Sequence, residues 1–131
     1  MLENLPLVNM ASAMARHAVA RHRIIAENVA NADTPGYRAR DIKDFTAMVN
    51  ESFTARTSRP GHRSDGGDGA MEGLAALRPF ELELPIAPNG NSVSVEDQAL
   101  RAVEAQNEHR LAVTLYGQTV KILRLGIGRL N

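Results

Sequence analysis

Small and apolar residues recur at alternating spacings of three and four at both ends of this 131-residue chain, and that repeat restricts the fold more than any other feature. Near the N-terminus Val8, Ala11, Ala15, Ala18, His22, Ile25, Val29 and Ala32 fall on one helical stripe. Near the C-terminus Ala99, Ala102, Gln106, His109, Val113, Tyr116, Val120, Leu123 and Ile127 keep the same alternation. Most residues of the first stripe are small, which lets a partner helix approach closely. A helix from Leu5 to Ala32 makes a rod of roughly 42 Å at about 1.5 Å rise per residue. The expected fold is therefore mainly α, with long N- and C-terminal helices pairing as a coiled-coil-like inner domain. Its middle segment is irregular and holds a short helix and minor β structure. The expected divisions are an N-terminal helix over 1–33, a turn, extended middle segment and mobile loop over 34–94, and a C-terminal helix over 95–131 that packs on the first.

Composition agrees with a thin molecule. Hydrophobic residues make up 44% of the chain, yet only three Phe and two Tyr are aromatic and there is no Trp, so one thick globular core would be hard to fill. The last helix should begin near Ser94, whose hydroxyl can cap the first turn while Asp97 completes an S-x-x-D box. Glu96, Asp97, Glu104 and Glu108 occupy its first half, and Arg110, Lys121, Arg124 and Arg129 its second, as the helix dipole favours. In the middle, "DIKDFTAMVNESF" has helical character and "TARTSRPGHRSDGGDGAMEG" reads as a mobile loop. "LRPFELELPIAP" alternates with Phe80, Leu82 and Leu84 on one face, a short strand interrupted at Pro85, and "PNGN" turns the chain into the last helix.

Several function classes lose their footing on the same residues. Fifteen basic and fifteen acidic side chains cancel, which argues against nucleic acid or an anionic membrane as the main partner. The absence of cysteine removes disulfides, thiolate nucleophiles and Cys-based metal sites. No apolar run is long enough for a membrane span, and "MLENLPLVNMASAMARH" lacks the basic leader and apolar core of a cleaved secretion signal. His17, His22, His62 and His109 show no metal-ligand spacing; His22 and His109 could meet across the helix pair as hydrogen-bonded seam residues. "SDGGDG" has neither the Lys-Ser/Thr of a P-loop nor the acidic count of an EF-hand, so it reads as linker. No nucleophile elbow or acid-base constellation appears, so the expectation is a protein without catalytic residues, cofactor, metal or small-molecule substrate.

"NVANADTPGYRARD", residues 28 to 41, holds the most information. Pro35 disfavours helical geometry at Thr34, and Thr34-Pro35-Gly36-Tyr37 has Pro and Gly where a type II turn wants them. That explains a helix stop. It does not explain Asn28 and Asn31 one turn apart before the stop, nor the basic, extended "YRARD" after it.

This stretch resembles the N-terminal motif of the flagellar axial proteins, a family of rod, hook and related components whose mark is a helix ending in Asn-x-x-Asn-x-x-Thr-Pro-Gly-Tyr. The form "ADTPGYRARDIKDF" is similar to the proximal rod branch of that family, as are "TARTSRPGH" and "NGNSVSVEDQALRAVEAQNEHRLAVTLYGQTVKILRLGIGR". His109 departs from the family by standing where an aromatic is usual, and residues 64 to 73 are shortened and Gly-rich. The resemblance implies paired terminal helices stacked helically into a tube, export by the flagellar type III apparatus without signal cleavage, and residence in the periplasmic rod of the basal body. It implies as partners further copies of the chain, rod proteins of the FlgC, FlgF and FlgG types, the junction protein FliE and the MS ring protein FliF. Asn28, Asn31, Asp33, Thr34, Pro35, Gly36, Tyr37, Arg38, Arg40 and Asp41 become the expected assembly motif. The two stripes, from Val8 to Val29 and from Ala102 to Leu123, become the packing seam. The rival class is a type III secreted helical adaptor or effector that binds a partner without polymerising.

Overall fold

The computed structural model describes residues 6–57 and 77–128, with side chains for 6–51 and 77–128. Helix α1 spans Pro6–Ala30, strand β1 Arg40–Asp41, helix α2 Phe45–Thr57, strand β2 Phe80–Glu81 and helix α3 Val95–Gly128. The fold is mainly α, with the two long helices packed together, a short middle helix and a two-stranded sheet.

Local chemistry accounts for the helix ends. Pro6 occupies the first helical position of α1, where its missing N–H removes no intrahelical bond. At the start of α3 the Ser94 hydroxyl accepts the Asp97 N–H at 3.3 Å while the Ser94 carbonyl accepts the Gln98 N–H at 2.9 Å, a complete N-cap. Glu96 and Asp97 then lie in the first turn, beside the positive end of the helix dipole. Helix α2 runs through Thr57 into the segment expected to be a mobile loop, because no Pro or Gly lies between Phe45 and Pro60. The rest of that segment, with "SDGGDG" and His62, lies outside the described residues.

The long helices are antiparallel. Asn28 meets Gln98, Arg21 reaches Glu104 and His17 faces Glu108, so partners advance along α3 as α1 is read backwards. Ala18, Ala105 and Ala112 are fully buried, and Val8, Ala11, Ala13, Ile24 and Ile25 join them with Ala39, Ile42 and Phe45. This core lies along a close helix contact made by methyl groups, with few large side chains.

The packed face is offset from the expected stripe. On α3 the buried Gln98, Ala105 and Ala112 alternate with half-buried Arg101, Glu108, Leu115 and Thr119, one position ahead of the apolar pattern. Ala102, Val120 and Leu123 are consequently half-buried, and Gln106, His109, Val113 and Tyr116 are exposed. On α1, Val8, Ala11, Ala18 and Ile25 are buried and Ala15 half-buried, but His22 and Val29 are exposed while His17, Arg21 and Asn28 are buried. The reason is that polar residues with partners occupy the seam, and a pattern that counts only apolar residues is drawn off it by about one position.

Strands β1 and β2 are antiparallel, with Arg40 opposite Glu81 and Asp41 opposite Phe80. The Leu82 N–H extends the pairing to the Ala39 carbonyl at 2.8 Å. Leu84 then donates back to the Leu82 carbonyl, which ends the strand short of Pro85. Leu82 and Leu84 are half-buried and Phe80 is exposed, so the alternation holds for the two leucines alone.

The alanine contact is testable by overpacking. Ala105→Leu should destabilise the chain by about 1 to 3 kcal/mol, read as a lower urea midpoint. Val113→Leu, at a half-exposed position on the same helix, should leave the midpoint unchanged.

Candidate functional site

Asn28 lies in the last turns of α1 and its side chain is fully buried. Its Nδ2 donates to the Arg40 carbonyl at 2.7 Å and to Gln98 Oε1 at 2.9 Å. Its Oδ1 accepts the Arg40 N–H at 3.1 Å and the Tyr37 hydroxyl at 3.3 Å. One carboxamide thus uses all of its hydrogen-bonding capacity and joins α1, the chain after the turn, and the first turns of α3. Asn31 does the local work at the helix end: its Nδ2 donates to the Glu27 carbonyl at 2.8 Å and its Oδ1 accepts the Thr34 hydroxyl at 3.2 Å.

The turn itself is closed by the Tyr37 N–H on the Thr34 carbonyl, with Gly36 at φ 74° as a type II turn requires. A second segment, residues 89 to 92, holds it from outside. The Gly36 N–H donates to the Asn89 carbonyl at 3.0 Å, and Asn91 Nδ2 donates to the carbonyls of both Asn31 and Thr34. Ser92 adds two contacts, its N–H to the Tyr37 carbonyl and its hydroxyl accepting the Ala39 N–H. Gly90, at φ 81°, lies against Gly36, and a Cβ on Gly90 would meet the Gly36 Cα at 3.2 Å. A Cβ on Gly36 would meet nothing within 4 Å.

Asp41 forms the second half of the site. Its carboxylate is buried, takes two bonds from Arg21 at 3.2 and 3.1 Å, one from Arg101 at 2.7 Å, and one from the Ile42 N–H at 2.8 Å. Arg21 comes from α1 and Arg101 from α3, so a single carboxylate bridges the two long helices. Arg101 also binds Asp97 one turn earlier at 2.8 Å. Burial by itself would lower the Arg21 guanidinium, but the hydrogen bond and charge of Asp41, followed by Glu108 and Asp44, raise it above its ordinary value. Arg101 is likewise lowered by burial and raised more strongly by Asp97 and Asp41. A cation raised on folding adds stability that is fully present below its unfolded pKa and lost only as pH rises through the higher folded value. For these two arginines that window lies above the ordinary arginine range, so they stay charged at any pH near neutrality.

His17 completes the buried polar column. Its Nε2 donates to the Lys43 carbonyl at 2.7 Å and its ring lies 5.7 Å from that of Phe45. Nδ1 stands 3.8 Å from Glu108 Oε2, and among the described residues neither atom has a hydrogen-bond partner. His22 and His109, the pair expected at the seam, instead line a shallow cleft with Ala18, Val19 and Gln106. Among the described residues there is no cluster of His, Asp and Glu arranged to hold a metal.

Of the expected motif, the structure brings Asn28, Asn31, Thr34, Tyr37 and Asp41 into one network and leaves Asp33, Pro35, Gly36 and Arg38 exposed. Arg40 is also exposed; its side chain reaches Glu27 at 3.6 Å while its backbone clasps Asn28. Sequence reasoning missed His17, Arg21, Gly90, Asn91, Ser92, Gln98 and Arg101. Arg21 and Asn28 are seven residues apart on α1, and Gln98 and Arg101 three apart on α3, so helical spacing was present as a signal but in polar residues.

The family model described as flagella basal body rod protein matches residues 9–38, from the body of α1 through the turn. The flagellar basal body rod protein FlgB of Agrobacterium fabrum is 25% identical over 134 residues, covering 98% of this chain and 97% of its own length. FlgB of Cereibacter sphaeroides is 30% identical over 112 residues, 82% of each chain. FlgB of Proteus mirabilis is 37% identical over 68 residues, 52% of this chain and 41% of its own.

Two substitutions test the network. Asn28→Asp replaces the donor that faces two acceptor oxygens with a third oxygen, and should cost about 3 kcal/mol or more in urea denaturation. Gly90→Ala should destabilise more than Gly36→Ala, because both suffer positive φ, about 1 kcal/mol each, but only the Cβ at 90 runs into backbone; paired thermal melts would show the order.

Proposed function

The chain belongs to the FlgB family of flagellar basal body rod proteins, and on that footing we propose that it builds the proximal rod, the part that carries torque from the MS ring to the distal rod and hook. It is a structural subunit of the basal body and no enzyme. The observation that carries the finer reading is the apolar surface left on α3 after α1 has been packed. Leu100, Val103, Leu111, Ile122 and Leu125 share one face and are all more than half exposed, from the first turns of the helix to the last. A lone domain has little use for so long an apolar face, and a subunit enclosed by neighbours does.

The partners follow from that role. They are further copies of the chain, rod proteins of the FlgC, FlgF and FlgG types, FliE and FliF at the ring junction, and the flagellar type III export apparatus during delivery to the periplasm. Nucleic acid and small molecules have no part in it. The turn sets the angle at which the chain leaves the inner helix pair, and Arg38 and Arg40 point outward beside it, available to a neighbouring subunit. The exposed Gln106, His109, Val113 and Tyr116 lie on the other flank of the packed face, so α3 offers side chains to neighbours on two sides.

Electron microscopy of basal bodies from a strain lacking the gene is the direct test. Rings without a rod are expected, with motility restored by the wild-type gene. Complete rods in the deletion strain would overturn the proposal and favour a secreted adaptor that binds without polymerising.

A further inference from the structure

We propose that Asn89-Gly90 is a self-modifying step of this chain, one that the folded clamp holds back and that, once converted to isoaspartate, loosens the clamp. It is the one Asn-Gly step in the sequence. A glycine that follows asparagine has no side chain to shield its amide nitrogen, so that nitrogen can attack the asparagine carboxamide, a reaction that makes such pairs thermolabile. The Gly90 nitrogen gives up its proton and bonds to Asn89 Cγ; the bond from Cγ to Nδ2 breaks, and ammonia leaves carrying that proton. Water then opens the five-membered imide at either carbonyl. Opening at Cγ restores the main chain with aspartate at 89. Opening at the main-chain carbonyl gives isoaspartate, whose chain runs through Cβ and Cγ and is one methylene longer.

Asn89 is exposed, so water and hydroxide reach it, yet each group that must move is held. The Gly90 N–H donates to the Ala87 carbonyl at 2.8 Å, a bond the attacking nitrogen must leave in order to lose its proton. Asn89 Oδ1 accepts the Asn91 N–H at 3.0 Å, which ties down the carboxamide under attack. The Asn89 carbonyl accepts the Gly36 N–H at 3.0 Å, which resists the main-chain rotation that brings the nitrogen onto Cγ. Asn91 in turn is buried and anchored on Asn31 and Thr34. The two products act differently on this arrangement. Aspartate keeps an oxygen where Asn89 Oδ1 accepts and leaves the backbone as it was. Isoaspartate lengthens the chain beside Gly90, where one added carbon already meets the Gly36 Cα at 3.2 Å, and it moves the carbonyl that holds Gly36 off the main chain as a carboxylate. The turn after α1 is thereby unclipped from the approach to α3.

The test ages the purified full chain in mildly alkaline buffer, native and in urea. Cleavage after glutamate releases the peptide from 84 to 96, and mass spectrometry follows the gain of one mass unit at Asn89. Conversion should be at least about tenfold slower in the native chain, because two hydrogen bonds must open before attack. Asn91→Ala touches no reacting atom; it should speed the native reaction severalfold and leave the rate in urea unchanged, with circular dichroism showing the variant as helical as the parent. Ageing should also lower the melting temperature of the wild-type chain and leave that of Asn89→Ser unmoved. Equal rates in buffer and urea, no gain at Asn89 in either, or a native rate indifferent to Asn91→Ala would overturn the brake. Should Asn91→Ala not fold, the native and urea rates of the wild-type chain decide by themselves. A chain that has converted and melts as before would overturn the unclipping.

Discussion

Two arginines from two helices close on the carboxylate of Asp41, and the arrangement of the molecule depends on that junction. A carboxylate that is 2% exposed is tolerated only when its charge is matched and its lone pairs are filled, and Arg21, Arg101 and the Ile42 N–H do both. The consequences are geometric. Arg21 sits in the middle of α1 and Arg101 near the start of α3, so satisfying Asp41 sets the register of the antiparallel pair. Asp41 itself lies just beyond the turn, so the same junction fixes where the chain runs after leaving α1. Asn28 repeats the design one step nearer the turn, with Gln98 as its partner on α3.

This polar column explains why the remainder of the interface is so lean. The contacts that complete it are alanine methyls, with Ala18, Ala105 and Ala112 fully buried, and they bring the helices close without filling much volume. Specificity of register comes from hydrogen bonds and charge, which tolerate few alternatives, and most of the large apolar residues of α3 are left outside. For a solitary domain that would be a weakness. For a member of a rod-forming family it divides the labour, with polar groups setting the subunit's shape and apolar groups on α3 available to neighbours.

The turn shows how local and distant chemistry combine. Thr34-Pro35-Gly36-Tyr37 is competent to turn by itself, yet its carbonyls and amides are taken up by Asn89, Asn91 and Ser92 from the far side of the sequence. A side chain at 90 would press on the Gly36 backbone at 3.2 Å, so the turn would have to give way to it. What reads locally as a helix stop is, in the folded chain, a clamp between the end of α1 and the approach to α3.

The sequence by itself determined that the two ends are long helices, where the C-terminal helix begins, that a type II turn follows the first helix, and that the ends pair. Each of these rests on neighbours within about four residues: apolar periodicity, the Ser94 cap, and the dihedral demands of Pro35 and Gly36. The face on which α1 and α3 meet was decided by the tertiary structure. Apolar counting favours the stripe through His109 and Val113, but Asn28 finds Gln98 and Asp41 finds Arg101 only when α3 turns by about one residue, and α1 shares its buried face between the apolar stripe and His17, Arg21 and Asn28. A buried polar group is stable or ruinous according to a partner 20, 60 or 70 residues away, and no local pattern records which partner will be there.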